Sequence, residues 1–222
     1  MDQDSFNRLA GRTNLFFHQR GCYFDVRKHG QLAVKQSLDN LPILDVCYQN
    51  SSLKSEAEKL VDRSPDFKLL SARFGQSFMD YLIRAHIDWI HYRCICNGLP
   101  SDHLAQESIF VTWGQNRSGN FIFHEIIVQP FIEGVNLGHM IDYPSTLTGK
   151  NELLPKYRHL KPAIGSQMIP LLGLDLIDFF PMNFIVTPNQ RVVYIDTQPL
   201  TDEIRAGINR DAMARLINSW GL

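Results

Sequence analysis

The period of the apolar residues changes twice within the first 130 residues, and this limits the chain to a mixed α and β architecture. Residues 14–35 alternate and carry β-formers: Asn14-Leu-Phe-Phe-His18, Gly21-Cys-Tyr-Phe-Asp-Val-Arg27, a Lys28-His-Gly30 turn, and Gln31-Leu-Ala-Val-Lys35. They predict three short antiparallel strands. From about Gly75 to Cys96 the apolar residues Phe78, Leu82, Ala85, Trp89 and Tyr92 recur at three or four, which predicts a long helix with one buried face. Asn97-Gly98-Leu-Pro100 ends it. Alternation returns at 109–113 and 121–129 around an Asn116-Arg-Ser-Gly-Asn120 turn, and these two strands extend the first three into a five-stranded sheet. Between the two blocks, serines in the polar stretch 50–55 cap a short helix through 56–61.

The second half reads differently. Pro130-Phe-Ile-Glu-Gly-Val135 breaks the alternation, and from there the chain is mainly helical until Leu174. Residues 184–187 and 192–195 pair across Pro188-Asn-Gln190 as a hairpin that ends at Asp196. Thr201 caps a last helix whose Ile204, Ile208, Ala212, Leu216 and Trp220 share a face. The expected organisation is a sheet-bearing part over 1–129, a link at 130–135 and a mainly helical part over 136–222.

Composition narrows the function classes. A chain of 222 residues with 44% hydrophobic and 20% charged residues folds around one core or two small ones and is not disordered. Its net charge of −1, with no Lys/Arg run, lacks the electrostatic attraction that drives binding to nucleic acid. The apolar stretches are interrupted and shorter than the roughly 20 residues of a membrane span, which leaves peripheral membrane contact open. Cys22, Cys47, Cys94 and Cys96 form neither a metal knuckle nor a dense disulfide framework, and the acidic start Met1-Asp-Gln-Asp has no export signal. A cytoplasmic protein with reduced thiols is the expectation. Histidine-based metal catalysis and serine hydrolase chemistry also lack their motifs, HExxH and G-x-S-x-G.

One constellation carries chemistry. Gly173-Leu-Asp-Leu-Ile-Asp178-Phe-Phe-Pro-Met-Asn183-Phe-Ile-Val, followed by Val192-Val-Tyr-Ile-Asp196-Thr-Gln, sets an aspartate five residues before an asparagine and a second aspartate after a hairpin. This resembles the H-R-D-x-x-x-x-N and D-F-G segments of protein-kinase-like phosphotransferases. The resemblance implies a two-lobed kinase-like α+β fold, with ATP and Mg²⁺ as cofactors. It implies Asp178 as the catalytic group that orients a hydroxyl nucleophile, and Asn183 and Asp196 as magnesium ligands. Those residue types suit the reaction, because phosphoryl transfer needs positioning and charge neutralisation, and Mg²⁺ prefers a few oxygen ligands.

Upstream segments come in the matching order. Leu32-Ala-Val-Lys35 resembles the V-A-I-K strand, which makes Lys35 the nucleotide-binding lysine, with Glu56 favoured over Glu58, Asp80 and Asp88 as its acidic partner. Gly21-Cys-Tyr-Phe-Asp-Val26 resembles the end of the glycine-rich phosphate loop, although Gln19 and Phe24 stand at the other two glycine positions. Ile127-Val-Gln129-Pro-Phe131-Ile-Glu-Gly-Val-Asn-Leu resembles a hinge, which places Gln129 and Phe131 beside the nucleotide.

The departures are specific. Leu176-Ile177 replace the His-Arg before the catalytic aspartate, so regulation by activation-loop phosphorylation is not expected. Phe180 stands where many protein kinases carry lysine, Thr197-Gln198 replace Phe-Gly, and no A-P-E comes after them, so the usual helical platform for protein substrates is not expected. The pattern resembles minimal kinase effectors of bacterial pathogens and small bacterial lipopolysaccharide-core sugar kinases. The acceptor implied is a hydroxyl on a sugar or a protein, and a pseudokinase binding module stays open as the alternative.

Overall fold

A computed structural model describes residues 18–20, 24–37, 51–141, 153–174, 176–199 and 208–219. The expected strand start at 14–17, Gly21, Thr201, Ile204 and Trp220 lie outside them. The chain divides into two compact units, one built from residues up to Ile90 with Gln106–Phe131, the other from His91–Ala105 with residues from Ile132 onward.

In the first unit, β1 (His18–Arg20), β2 (Phe24–His29), β3 (Leu32–Ser37), β4 (Ser108–Gln115) and β5 (Phe121–Pro130) form one antiparallel sheet in the order β1-β2-β3-β5-β4. Its register sets Lys35 opposite Val26 and Ile127, and Ala33 opposite Gln129. Side chains alternate across a strand, so Ala33, Lys35 and Ser37 share one buried face of β3. Phe123, Glu125, Ile127 and Gln129 are the matching buried set on β5. Charged residues therefore occupy part of an inner face.

Three helices come after β3: α1 (Ser51–Arg63), α2 (Pro65–Phe74) and α3 (Gln76–Gly98). The sequence reading has no counterpart for α2. Its boundaries have local causes: Ser64 is extended (φ −89°, ψ 118°), as the residue before a proline prefers, and Pro65 opens the helix, where its missing N–H costs nothing. Gly75, at φ 77°, then turns the chain and donates its N–H to Ser71 O. Phe74 at the end of α2 meets Phe78, Trp113 and Phe121, with ring centroids 4.9 to 5.3 Å apart. Val61, Phe78, Tyr81, Leu82 and Phe123 complete this core.

The buried side of α3 differs from the expectation. Phe78, Leu82 and Ala85 are buried, whereas Trp89 is 48% exposed. Arg84, Asp88 and His91 are buried instead. The middle of the helix is enclosed on most sides, and a polar residue enters such an interior when it finds partners there.

In the second unit, β6 (Val135–Asn136), β7 (Phe184–Val186) and β8 (Val192–Tyr194) form a small antiparallel sheet, with β7 in the centre. Around it lie one helical turn, α4 (Leu137–Met140), and two helices, α5 (Lys161–Leu171) and α6 (Ile208–Asn218). The core gathers Ile95, Leu99, Leu137, Ile164, Met168, Phe184, Val192, Tyr194 and Leu216, each aliphatic worth about 1.5–3 kcal/mol on burial. Ile95, Leu99 and Leu104 belong to this cluster, which is why residues 91–105 fall in the second unit although the sequence reading places them within 1–129. α6 buries Met213, Leu216 and Ile217.

Candidate functional site

The hairpin positions two of the predicted residues. Phe184 pairs with Tyr194 across β7 and β8, and one step outward the Ile195 N–H donates to Asn183 O at 2.9 Å. Asn183 and Asp196 therefore lie at the open end of the same hairpin. The closed end is locked separately. Thr187 and Arg191 bond across it, with Gln190 in the left-handed region at φ 63°. Gln167 on α5 holds its β8 side, donating from Nε2 to Gln190 O (2.8 Å) and accepting the Val192 N–H on Oε1 (2.9 Å).

The loop before the hairpin brings Asp178 to Asn183. Asp178 Oδ1 accepts the Phe180 N–H at 3.1 Å, the local turn that aspartate favours. Pro181 then opens a single 3₁₀ turn, Pro181–Asn183, closed by the Asn183 N–H donating to Phe180 O at 2.8 Å. This folds the chain back, and Asn183 Nδ2 donates to Asp178 Oδ2 at 3.0 Å. The spacing of five residues read from the sequence is thus the spacing that lets the two side chains touch.

Three supports of the segments on either side of the hairpin have no motif of their own in the sequence. Asn136 accepts the Gly138 N–H on Oδ1 and donates from Nδ2 to Met182 O, tying the start of α4 to the 3₁₀ turn. The Tyr194 hydroxyl accepts the Asp178 N–H at 3.1 Å. His91 Nδ1 donates to Thr197 O at 2.7 Å, beside Asp196. An asparagine, a tyrosine or a histidine outside a motif carries little signal. Gly134 belongs to the hinge pattern and has a steric reason as well: a Cβ there would collide with the Val186 carbonyl and the Ile185 side chain.

The nucleotide-binding residues expected upstream are in the first unit. Lys35 is buried on β3, and its Nζ lies 3.8 Å from Glu107 Oε1, with the Glu107 side chain fully buried. Glu107, just before β4, is thus an acidic neighbour of Lys35, whereas Glu56 is exposed on α1. Glu58, one of the alternatives, sits 3.8 Å from Lys54. Register explains the change: Lys35 points to the inner face, where a carboxylate from the strand entrance reaches it and a solvent-facing helix position does not. Gln129 is buried opposite Ala33. The Phe131 N–H donates to Gln31 O at 2.7 Å, and the Lys28 ammonium lies 3.8 Å above the Phe131 ring. Phe24, at a glycine position of the phosphate-loop pattern, is a core residue 5% exposed, its ring 5.6 Å from the Arg84 guanidinium carbon.

Behind Lys35 lies a second buried ion pair, Arg84 Nε to Glu125 Oε2 at 2.8 Å. Burial pushes the Glu125 carboxyl above its usual range; Arg84 and hydrogen bonds with Asp88 and Arg84 oppose this, and Glu107 adds to it. One buried guanidinium thus lies beside a buried carboxyl, with Asp88 and Glu107 in its electrostatic surroundings.

The donor set suits a hard cation. Asn183 spends its amide nitrogen on Asp178, so its oxygen is the atom presented elsewhere, and Asp196 is a half-buried carboxylate at the same hairpin end. An amide oxygen and a carboxylate are the ligands that Mg²⁺ accepts while keeping several waters. Among the described residues no cluster of three His, Cys, Asp or Glu forms a metal cage, and no helix is long and apolar enough to cross a membrane.

No protein-family model and no curated protein matches this chain. Solved structures do. A crystal structure of WbdD aligns with 93% of this chain and 38% of its own, at 14% identity and a TM-score of 0.44. A structure of the bifunctional kinase-methyltransferase WbdD aligns with 85% of this chain and 35% of its own, at 13% identity and a TM-score of 0.40. WbdD co-crystallised with a kinase inhibitor aligns with 94% and 46%, at 11% identity and a TM-score of 0.40. The chain spans less than half the length of these structures.

Proposed function

We propose that this chain is a kinase-like phosphotransferase that uses ATP and Mg²⁺ to phosphorylate a hydroxyl acceptor of the sugar or lipopolysaccharide type, or a protein. The observation that carries the reading is the contact between Asp178 and Asn183 at the foot of a hairpin whose open end also bears Asp196. Asp178 is the group that orients the acceptor hydroxyl and draws on its proton through a carboxylate oxygen. Asn183 restrains that carboxylate and offers its own amide oxygen, with Asp196, to the cation. Mg²⁺, when bound, neutralises charge on the transferred phosphoryl group. Lys35, held by Glu107, is the candidate cation for the nucleotide phosphates, with Gln129 and Phe131 beside the base. The two units are read as the two lobes of the kinase-like fold, joined at 130–135.

Transfer of labelled γ-phosphate from ATP to bacterial lysate fractions, sugars and proteins tests this. Asp178→Ala is expected to lower the rate roughly a hundredfold or more, and Asp196→Ala to remove the response to Mg²⁺. Equal transfer by wild type and Asp178→Ala would sink the proposal. A nucleotide-binding module without transfer is the second reading, favoured by Phe24, whose burial in the core leaves no glycine cradle at that position. Mg-ATP would then raise the melting temperature while no acceptor is labelled.

A further inference from the structure

Leu176 and Ile177, which replace the polar pair before the catalytic aspartate, pack into the apolar core of the second unit, Ile177 being 3% exposed. They anchor the loop by burial and supply no polar contact to the site. Two other buried side chains do. Tyr194 is completely buried; its ring lies 5.3 Å from that of Phe184, which stacks on Phe179, the residue after Asp178, at 6.1 Å. Its backbone is fixed too, since Tyr194 O accepts the Ala105 N–H at 3.1 Å beside a bridge to Leu104. The hydroxyl that accepts the Asp178 N–H is therefore mounted on a ring packed into the core. His91 is 1% exposed on α3, and its Nδ1–H meets the carbonyl of Thr197, itself 3% exposed and adjacent to Asp196.

We propose that Tyr194 and His91 are the positioning residues of this site: the tyrosine hydroxyl sets the backbone of Asp178, and the imidazole sets the backbone after Asp196. The inference rests on the phosphotransfer reading for its purpose, and on the two contacts for its substance. Each contacts backbone atoms at or beside the residues it positions. Both carboxylates are then oriented by side chains of the folded core, and a site built this way is in register as soon as the second unit folds.

Tyr194→Phe removes one oxygen and keeps the ring stack. In amide exchange followed by NMR, the Asp178 N–H is expected to exchange about fivefold faster or more, the equivalent of one lost hydrogen bond. With turnover measured, kcat falls by a similar factor while KM for ATP stays within about twofold, because no nucleotide contact is removed. His91→Leu is expected to speed exchange at Gln198, whose N–H shares a peptide unit with the Thr197 carbonyl. His91→Gln, which keeps a donor, restores slow exchange. Unchanged exchange at Asp178 in Tyr194→Phe, or His91→Gln behaving as His91→Leu, overturns the proposal. A wild type that transfers no phosphate defeats the phosphotransfer reading alone, since amide exchange still decides whether these side chains hold the backbone at Asp178 and after Asp196.

Discussion

Arg84→Met is the sharpest test of how the first unit is held together. Arg84 and Glu125 are 1% and 0% exposed at a separation of 2.8 Å, so neither charge has water to fall back on. Methionine fills similar volume but leaves the buried Glu125 carboxyl without its cation. Removing one partner of a buried pair typically costs about 3–5 kcal/mol, a large share of the roughly 5–15 kcal/mol that stabilises a domain. The cost should depend on pH in a defined direction. Burial already holds the Glu125 carboxyl above its ordinary value of 4.5, and losing Arg84 raises it further. The folded variant then binds more protons than the unfolded chain, so its stability falls as pH rises from the ordinary carboxylate range through the raised value. Urea unfolding of wild type and variant at about pH 5 and pH 8 reads this directly. A loss below about 1 kcal/mol at pH 8, or an equal loss at both pH values, would refute the reasoning.

Other contacts give further expected outcomes. Gly134→Ala drives a methyl into the Val186 carbonyl and should cost about 1–3 kcal/mol by urea unfolding. Asn136→Ala removes two hydrogen bonds to the start of α4 and the 3₁₀ turn, about 1–3 kcal/mol in the same assay. Glu107→Gln should weaken ATP binding by calorimetry about fivefold, the worth of one modest polar contact, whereas Glu56→Gln, altering an exposed residue, leaves it unchanged. Chelation of Mg²⁺ should abolish the thermal stabilisation by ATP, which for ligand at a hundred times its Kd is about 2.7 kcal/mol.

The strands were legible because alternation is written into consecutive residues. The pairs β2–β3, β4–β5 and β7–β8 each carried turn residues between matching apolar sets, and the contact between Asp178 and Asn183 came from a local spacing. The rest was set by distant partners. Trp89 fitted the apolar period of α3 yet is exposed, while Arg84 and Asp88 broke the period and are buried, because their partner Glu125 arrives from a strand some forty residues away. Glu107 beside Lys35 carries no sequence signal for the same reason: a contact between strands has no fixed sequence offset. α2 leaves little trace in the sequence because its ten residues bury none fully, so its apolar period is weak.

The grip of Gln167 on the hairpin's closed end bears on how the chain tolerates change in length. Because one side chain meets backbone at Gln190, in the turn, and at Val192, the first residue of β8, it fixes where β8 begins. A slip of one residue would place Ile195 where Asp196 stands and turn each side chain of β8 to the opposite face. Insertions at the exposed Asn189 therefore enlarge a loop and leave the tally of β8 intact, whereas a single deletion between Val192 and Ile195 rewrites it.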